Sequence, residues 1–134
     1  MASNPNVANG EMTWDQFAGY VNDGYSYAGQ TVTLEENISV SSMVGTESHP
    51  FTGTFNGQGH TLNVSIGSSS SPITTQGAAP FQYVNGASIQ RLVVTGNVYA
   101  SAHHAAGLIG YATDGSSNVI WNCHVSTKVT NNNA

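Results

Sequence analysis

Two adjacent histidines, His103 and His104, come closest to forming a chemical site by residue type and spacing. Histidine nitrogens bind zinc, but neighbours on a strand point to opposite faces, so one ion cannot easily be shared by this pair. The other histidines lie in separate segments, at His49, His60 and His124. Because no spacing brings three of these side chains together, the sequence favours an exposed polar corner, and we predict neither a bound metal ion nor a cofactor.

Residues suited to covalent or acid–base catalysis form no recognisable set. Cys123 falls on the inward side of an alternating strand and His124 on the outward side, so no base lies beside the thiol. Glycoside hydrolysis needs two carboxylates about 5–10 Å apart across a cleft, and β-helix lyases need an acidic cluster with a base, which Arg91 alone does not supply. We predict that the chain is not an enzyme. Most of its carboxylates fall in the predicted helix, tail or loops: Glu11, Asp15, Asp23, Glu35, Glu36, Glu47 and Asp114.

Aromatic side chains offer another kind of chemistry, which is contact with a sugar ring or with a protein surface. Tyr99 alternates with Val98 and is expected to face outward, and Tyr111 ends a segment of small residues. With the adjacent pair His103 and His104, these tyrosines are the candidate ligand-binding residues, for a glycan or a host or cell-surface protein.

Composition excludes several partners. Charged residues make up 7% of the 134 residues, and the net charge is −5, with Arg91 and Lys128 as the only permanent cations. Nucleic acids and anionic membrane surfaces both require clustered cations. The longest apolar runs cover only a few residues, which excludes insertion into a membrane as a helix. Residues 1–5 lack the features of a signal peptide, and we expect a piece of a longer secreted or bacterial cell-surface protein.

One amphipathic helix is predicted over residues 12–24, after a flexible tail at 1–11. Thr13 and Gln16 have the spacing of a capping box, and Asn22 to Gly24 end the pattern. A single apolar stripe needs a surface to cover, and the open end of a stack of strands would provide one. The stripe consists of Trp14, Phe17, Ala18 and Val21.

Short alternating strands then recur at intervals of about 30 residues, which is typical of a solenoid. Matching positions predict inward ladders, one of Leu34, Leu62, Leu92 and Cys123 and another of Val64, Val94 and Val125. Since no helix separates the strands, the fold class predicted is all-β, a parallel β-helix of three to four rungs over residues 25–130, with a tail at 131–134. An antiparallel β-sandwich is the alternative, because turn signals every 8–12 residues also suit it.

Two segments carry a family resemblance. Ala105-Ala-Gly-Leu-Ile-Gly-Tyr111, followed by Ile120-Trp-Asn-Cys-His-Val125, resembles the GLUG motif, in which a Gly-Leu-x-Gly core precedes an Asn-Cys-x-Val strand. Residues 51–62 look like the segment that often precedes such repeats, and the likeness covers about residues 31–129. The resemblance implies a right-handed β-helix in large secreted or surface proteins of bacteria. It implies no catalytic residues, because the family shares none.

Three functions remain open from the sequence. The first is a non-catalytic module that acts as a scaffold or as an adhesion or ligand-binding surface. The second is a fragment of a carbohydrate-active β-helix enzyme whose active site lies elsewhere. The third is a structural stalk that associates end to end through an exposed terminal rung, since an unpaired strand edge invites pairing.

Overall fold

A computed structural model describes residues 5–8, 10–101, 103–113, 115 and 117–132. In these residues all pairings between named strands are parallel. They wind the chain into a β-solenoid of about four turns, here termed rungs. The predicted parallel solenoid with one N-terminal helix is confirmed. Helix α1 spans Trp14–Asn22, and strands β1 to β12 span Asn6–Val7, Thr31–Leu34, Ile38–Val40, Thr54–Asn56, Thr61–Ile66, Phe81–Val84, Ser88–Gln90, Val93–Ala100, Ile109–Ala112, Val119–Trp121, His124–Val125 and Lys128–Asn131.

Each full rung contributes one strand to each of three sheets. The first sheet has the order β1-β2-β4-β7-β10, and the second has the order β3-β5-β8-β11, with β12 also paired to β8. The third sheet contains β6 and β9, and Val44 and Phe51 extend it by bridging to Phe81 and Val84. Alternating apolar residues from all three sheets point into one shared core, as in Leu62, Val64 and Ile66 of β5, which are fully buried.

The register differs from the predicted ladders because the corners of the rungs differ in length. Phe55 pairs with Ile89, 34 residues on, whereas Leu62 pairs with Val94, 32 residues on. The corner at residues 57–60 between β4 and β5 has two residues more than the corner Arg91-Leu92 between β7 and β8. Between these two rungs, paired residues are therefore 34 positions apart in the first sheet and 32 positions apart in the second.

Several predicted ladder contacts are consequently wrong. Leu62 does not pair with Leu92, Val64 faces Gly96 rather than Val94, and Leu34 belongs to the first sheet, not the second. The pair Val94–Val125 is confirmed. A two-residue shift leaves each side chain on its original face, so the predicted inward positions stay inward even where the partner is wrong.

Helix α1 closes the N-terminal end of the solenoid. Thr13 is its N-cap and forms the predicted capping box with Gln16, and Asp23 is its C-cap. The helix is therefore shorter than the predicted range of 12–24. Its apolar stripe is buried on the aromatic core, with the ring of Trp14 5.8 Å from that of Phe55 and 5.6 Å from that of Phe81, between ring centroids.

Both predicted tails contain regular structure. Residues 6–7 form β1, which pairs with Thr33 and Leu34, and Val7 is fully buried. Val7 is covered because β1 adds a strand to the first sheet, where Val7 pairs with the fully buried Leu34. At the other terminus Asn131 belongs to β12 and pairs with Ala100. The parts of these tails at 1–4, 9 and 133–134 lie outside the described residues.

Candidate binding surfaces

Three of the four predicted ligand-binding residues come together on the outside of the third sheet. The ring centroids of His104 and Tyr111 are 5.6 Å apart, and those of His103 and His104 are 6.2 Å apart. Tyr83, which the sequence did not single out, joins them with its ring 5.4 Å from that of Tyr111. We name these four residues the ring row. Both histidines are exposed, and Tyr111 is half-buried.

Backbone contacts hold the ring row in place. Tyr83 and Tyr111 are in register across β6 and β9. The amide of Gly77 donates to the carbonyl oxygen of His103 at 3.0 Å, while a Cβ atom at Gly110 would stand 2.1 Å from the carbonyl oxygen of Gly77. Only glycine at position 110 permits this approach, which brings the histidine corner beside Tyr111.

Tyr83 contacts the ring of Tyr111 but is itself too buried to contact a ligand. Its side chain is 8% exposed. Burial raises the pKa of the Tyr83 phenol above its ordinary value, and the nearby charges of Glu47 and Tyr111 raise this pKa further. The phenol therefore stays protonated at neutral pH. The side chains of the ring row that can contact a ligand are therefore those of His103, His104 and Tyr111.

Tyr99, the fourth predicted residue, lies apart from this row. It belongs to β8 and pairs with Thr130 of β12. Its side chain is half-buried while that of Val98 is fully buried, in agreement with the predicted outward position. Among the described residues, the ring contacts of the row do not extend to Tyr99.

A second surface, which the sequence reasoning missed, lies at the corner between the first and second sheets. Gln58, Arg91 and Asn122 occupy this corner in successive rungs, each with a left-handed backbone at φ 52°, 53° and 53°. The corner bounds an open groove of about 710 Å³, and the Arg91 guanidinium lies 5.3 Å from the Trp121 ring centroid. We name it the corner groove. Its lining comprises Gln58, Gly59, Arg91, Val93, Asn122, Cys123 and His124.

A third surface is the last rung itself. Ile120 pairs with the fully buried Ile89 but is 56% exposed. Val125 and Val129, which also pair with buried valines, are 42% and 40% exposed. These side chains occupy core positions of the ladder, yet within the described residues no further strand covers them. We name this apolar surface the open end.

The surroundings of Cys123 are typical of a cysteine that packs against the core and not of a nucleophile. Its thiol lies 3.5 Å from the carbonyl oxygens of Ile89 and Trp121, to which it can donate, and its side chain packs partly against the core. The inward direction agrees with the sequence pattern, but burial is incomplete because Cys123 belongs to the last rung.

Two of the carboxylates form hydrogen bonds near the N-terminal end of the solenoid. Asp15 accepts a hydrogen bond from the hydroxyl of Ser42 at 2.6 Å, and Glu11 accepts one from the amide of Asn6 at 2.5 Å. Both therefore secure the N-terminal end. Among the described residues, His, Cys, Asp and Glu side chains form no group of three able to hold a metal ion. Asp114 lies outside those residues.

Comparison with known proteins adds no relative. No protein-family model, curated protein or solved structure matches the chain. The resemblance to the GLUG family therefore stays a prediction. In the residues described, no helix has both the length and the apolar character needed to cross a membrane.

Proposed function

We propose that the chain is a non-catalytic β-solenoid module of a secreted or cell-surface bacterial protein, and that its ring row binds a glycan. The observation that carries this proposal is the contact between His104 and Tyr111 on the outside of the solenoid. Aromatic faces and imidazole groups together provide both apolar contact and hydrogen bonds, which a sugar ring requires.

Rigidity supports this assignment. Tyr111 lies on β9, which is paired with β6, and the histidine corner is fixed through Gly77. A site carried by paired strands loses little conformational entropy on binding, since its side chains are positioned beforehand. The low fraction of charged residues, 7%, further suits a surface that recognises a neutral partner through hydrogen bonds.

Binding to an array of glycans and of host surface proteins tests the proposal. Tyr111→Ala and His104→Ala are expected to weaken glycan binding at least about tenfold, since each removes one of two adjoining contact groups. Tyr20→Ala is the matched control, because Tyr20 is 41% exposed on α1, away from the row. The proposal would be contradicted if the unsubstituted chain bound no glycan, or if Tyr111→Ala bound glycan as tightly as the unsubstituted chain.

A second candidate function is a structural module that associates through the open end. Its support is the exposure of Ile120, Val125 and Val129 at core ladder positions, together with the unpaired outer edges of the last strands among the described residues. Exposed apolar side chains and strand edges both favour association.

Sedimentation at a series of protein concentrations tests the second candidate. Ile120→Lys places a charge on the open end and should abolish oligomers. Val119→Lys is the control, because Val119 pairs with Ser88 on the outward face and is 52% exposed. This function would be ruled out if the unsubstituted chain stayed monomeric at every concentration, or if Ile120→Lys and Val119→Lys changed the oligomers equally.

A further inference from the structure

The corner groove contains a column of polar side chains with matched positions. Gln58, Arg91 and Asn122 stand at the same corner in three successive rungs, and neighbouring strands are about 4.8 Å apart. The side chains of Gln58, Arg91 and Asn122 thus follow one another along one side of the groove. The side-chain nitrogen of Gln58 donates to the carbonyl oxygen of Leu34 at 3.1 Å, so Gln58 offers its side-chain oxygen as an acceptor, whereas the guanidinium of Arg91 and the side-chain amide of Asn122 can donate hydrogen bonds.

Arg91 is the principal charge in this groove. It is exposed, and it is one of two permanent cations in a chain with seven carboxylates. Its guanidinium lies over the ring of Trp121, and within the described residues it forms no ion pair with a carboxylate. Its N–H donors are therefore available to a ligand.

The surroundings of Arg91 favour an anion with an apolar face. None of the residues that line the groove is acidic, and His124 lines the groove beside Asn122. Trp121 borders the groove through Arg91, whose guanidinium lies over its ring. Because Trp121 is 52% exposed, the part of the ring that Arg91 leaves uncovered can contact a flat apolar ligand. Six of the seven carboxylates lie at residues 11–47, in the first rung and the capping segment.

We propose that the corner groove binds a carboxylate-bearing sugar, a uronic acid unit of an acidic glycan. The planar guanidinium of Arg91 pairs with both oxygens of the carboxylate. The ring of Trp121 contacts the apolar face of the sugar, and the side-chain amide of Asn122 and the side-chain oxygen of Gln58 bind its hydroxyl groups. This site goes beyond the proposed function, because it shares no residue with the ring row.

Calorimetric titration with an oligogalacturonate, and with the same oligomer methyl-esterified, tests this site. Esterification removes the charge but keeps the sugar, and it should weaken binding at least about tenfold. A sulfated dextran distinguishes a general anion site from one for carboxylates, and we expect it to bind more weakly. Equal binding of acid and ester, tighter binding of sulfated dextran, or no binding of the acid would overturn the proposal.

Variants of the chain locate the site. Arg91→Asn tolerates the left-handed backbone of this corner and should keep the fold while binding falls at least about tenfold. Trp121→Ala should also weaken binding. Lys128→Ala is the matched control, because it removes the other cation, and binding should stay within about twofold. Equal losses for Arg91→Asn and Lys128→Ala would show a non-specific charge effect and refute the site.

Tyr111→Ala separates this proposal from the ring row. Uronate binding should be unchanged in this variant, whereas binding at the row should be lost. If Tyr111→Ala also abolished uronate binding, the acidic sugar would occupy the row and the corner groove would be refuted as its site.

Discussion

The two ends of the solenoid have the same ladder of inward side chains but differ in what covers it. At the N-terminal end Phe17 of α1 is fully buried, with its ring 5.6 Å from that of Phe51. At the other end Ile120 continues the column of Phe55 and Ile89 and is 56% exposed. We refer to the first as the closed end. Burial of a solenoid residue is thus decided by the next layer and not by its own sequence pattern.

Backbone groups differ between the ends in the same way. At the closed end the indole nitrogen of Trp14 donates to the carbonyl oxygen of Ser42 at 2.9 Å. The side-chain nitrogen of Asn22 donates to the carbonyl oxygen of Met43 at 3.2 Å, and its side-chain oxygen accepts from the backbone amide of Gly45 at 2.7 Å. The helix thereby satisfies polar groups of the first rung that a strand would otherwise pair. The open end has no such cover among the described residues.

The largest expected difference between the ends lies between a core residue under the helix and a core position of the last rung. Phe17→Ala should lower the free energy of unfolding by about 3–5 kcal/mol, because it leaves a cavity under the helix. Val129→Ala should cost less than about 1 kcal/mol, since this side chain is 40% exposed although it pairs with the buried Val98. Urea denaturation followed by far-ultraviolet circular dichroism measures both values. Similar costs for the two variants would remove the distinction between the ends.

A sharper comparison uses one residue type in one ladder. Ile89→Ala should lower the free energy of unfolding by about 2–5 kcal/mol, whereas Ile120→Ala should lower it by less than about 1 kcal/mol. The two isoleucines are direct neighbours in register, and they are 0% and 56% exposed. Chemical denaturation measures the free energy of unfolding of both variants. A loss at Ile120 as large as that at Ile89 would contradict the exposure of the open end.

Alkaline pH should lower the stability of the chain in part through the closed end. Burial, followed by the charges of Tyr25 and Tyr20, raises the pKa of Tyr27 from 10.0 to about 12. Between these values the unfolded chain loses this proton while the folded chain keeps it, so stability falls as the pH rises from 10 to 12. In Tyr27→Phe this part of the loss should disappear, and in the control Tyr99→Phe it should remain. Denaturation at several pH values measures the difference, and identical profiles for Tyr27→Phe and the parent chain would contradict it.

The sequence was sufficient for the class of fold and for the cap. Thr13 and Gln16 predicted the capping box because its chemistry is local. The parallel solenoid followed from the spacing of short strands. The pair Val94–Val125 is predicted correctly, since the corners between the first and second sheets have equal length in the last two rungs.

The register between the earlier rungs could not be found in the same way. The corner at residues 57–60 is two residues longer than Arg91-Leu92, and a pattern of alternating residues is unchanged by a shift of two. The repeat therefore matched Leu62 to Leu92 although Val94 is its partner. Glycines such as Gly57 and Gly59 are typical of a turn, but the number of residues in this corner relative to the next rung depends on the paired structure.

The candidate sites were predicted in part for a related reason. His103, His104 and Tyr111 lie near one another in the sequence and meet in the ring row, whereas Tyr83 joins them from the preceding rung. The corner groove combines residues of three rungs, among them Gln58, Arg91 and Asn122. Only the correct register brings these together, although the single arginine in a chain of net charge −5 was a signal that could have been pursued.

Residue-resolved amide hydrogen exchange tests most directly whether the described strands form a solenoid with a protected interior and an uncovered last rung. Strand β5 lies between β3 and β8, and its amides should exchange only through global unfolding. The amides of β12, paired on one edge with β8, should exchange at least about a hundredfold faster. Equal protection of β5 and β12, or fast exchange throughout β5, would contradict this structure.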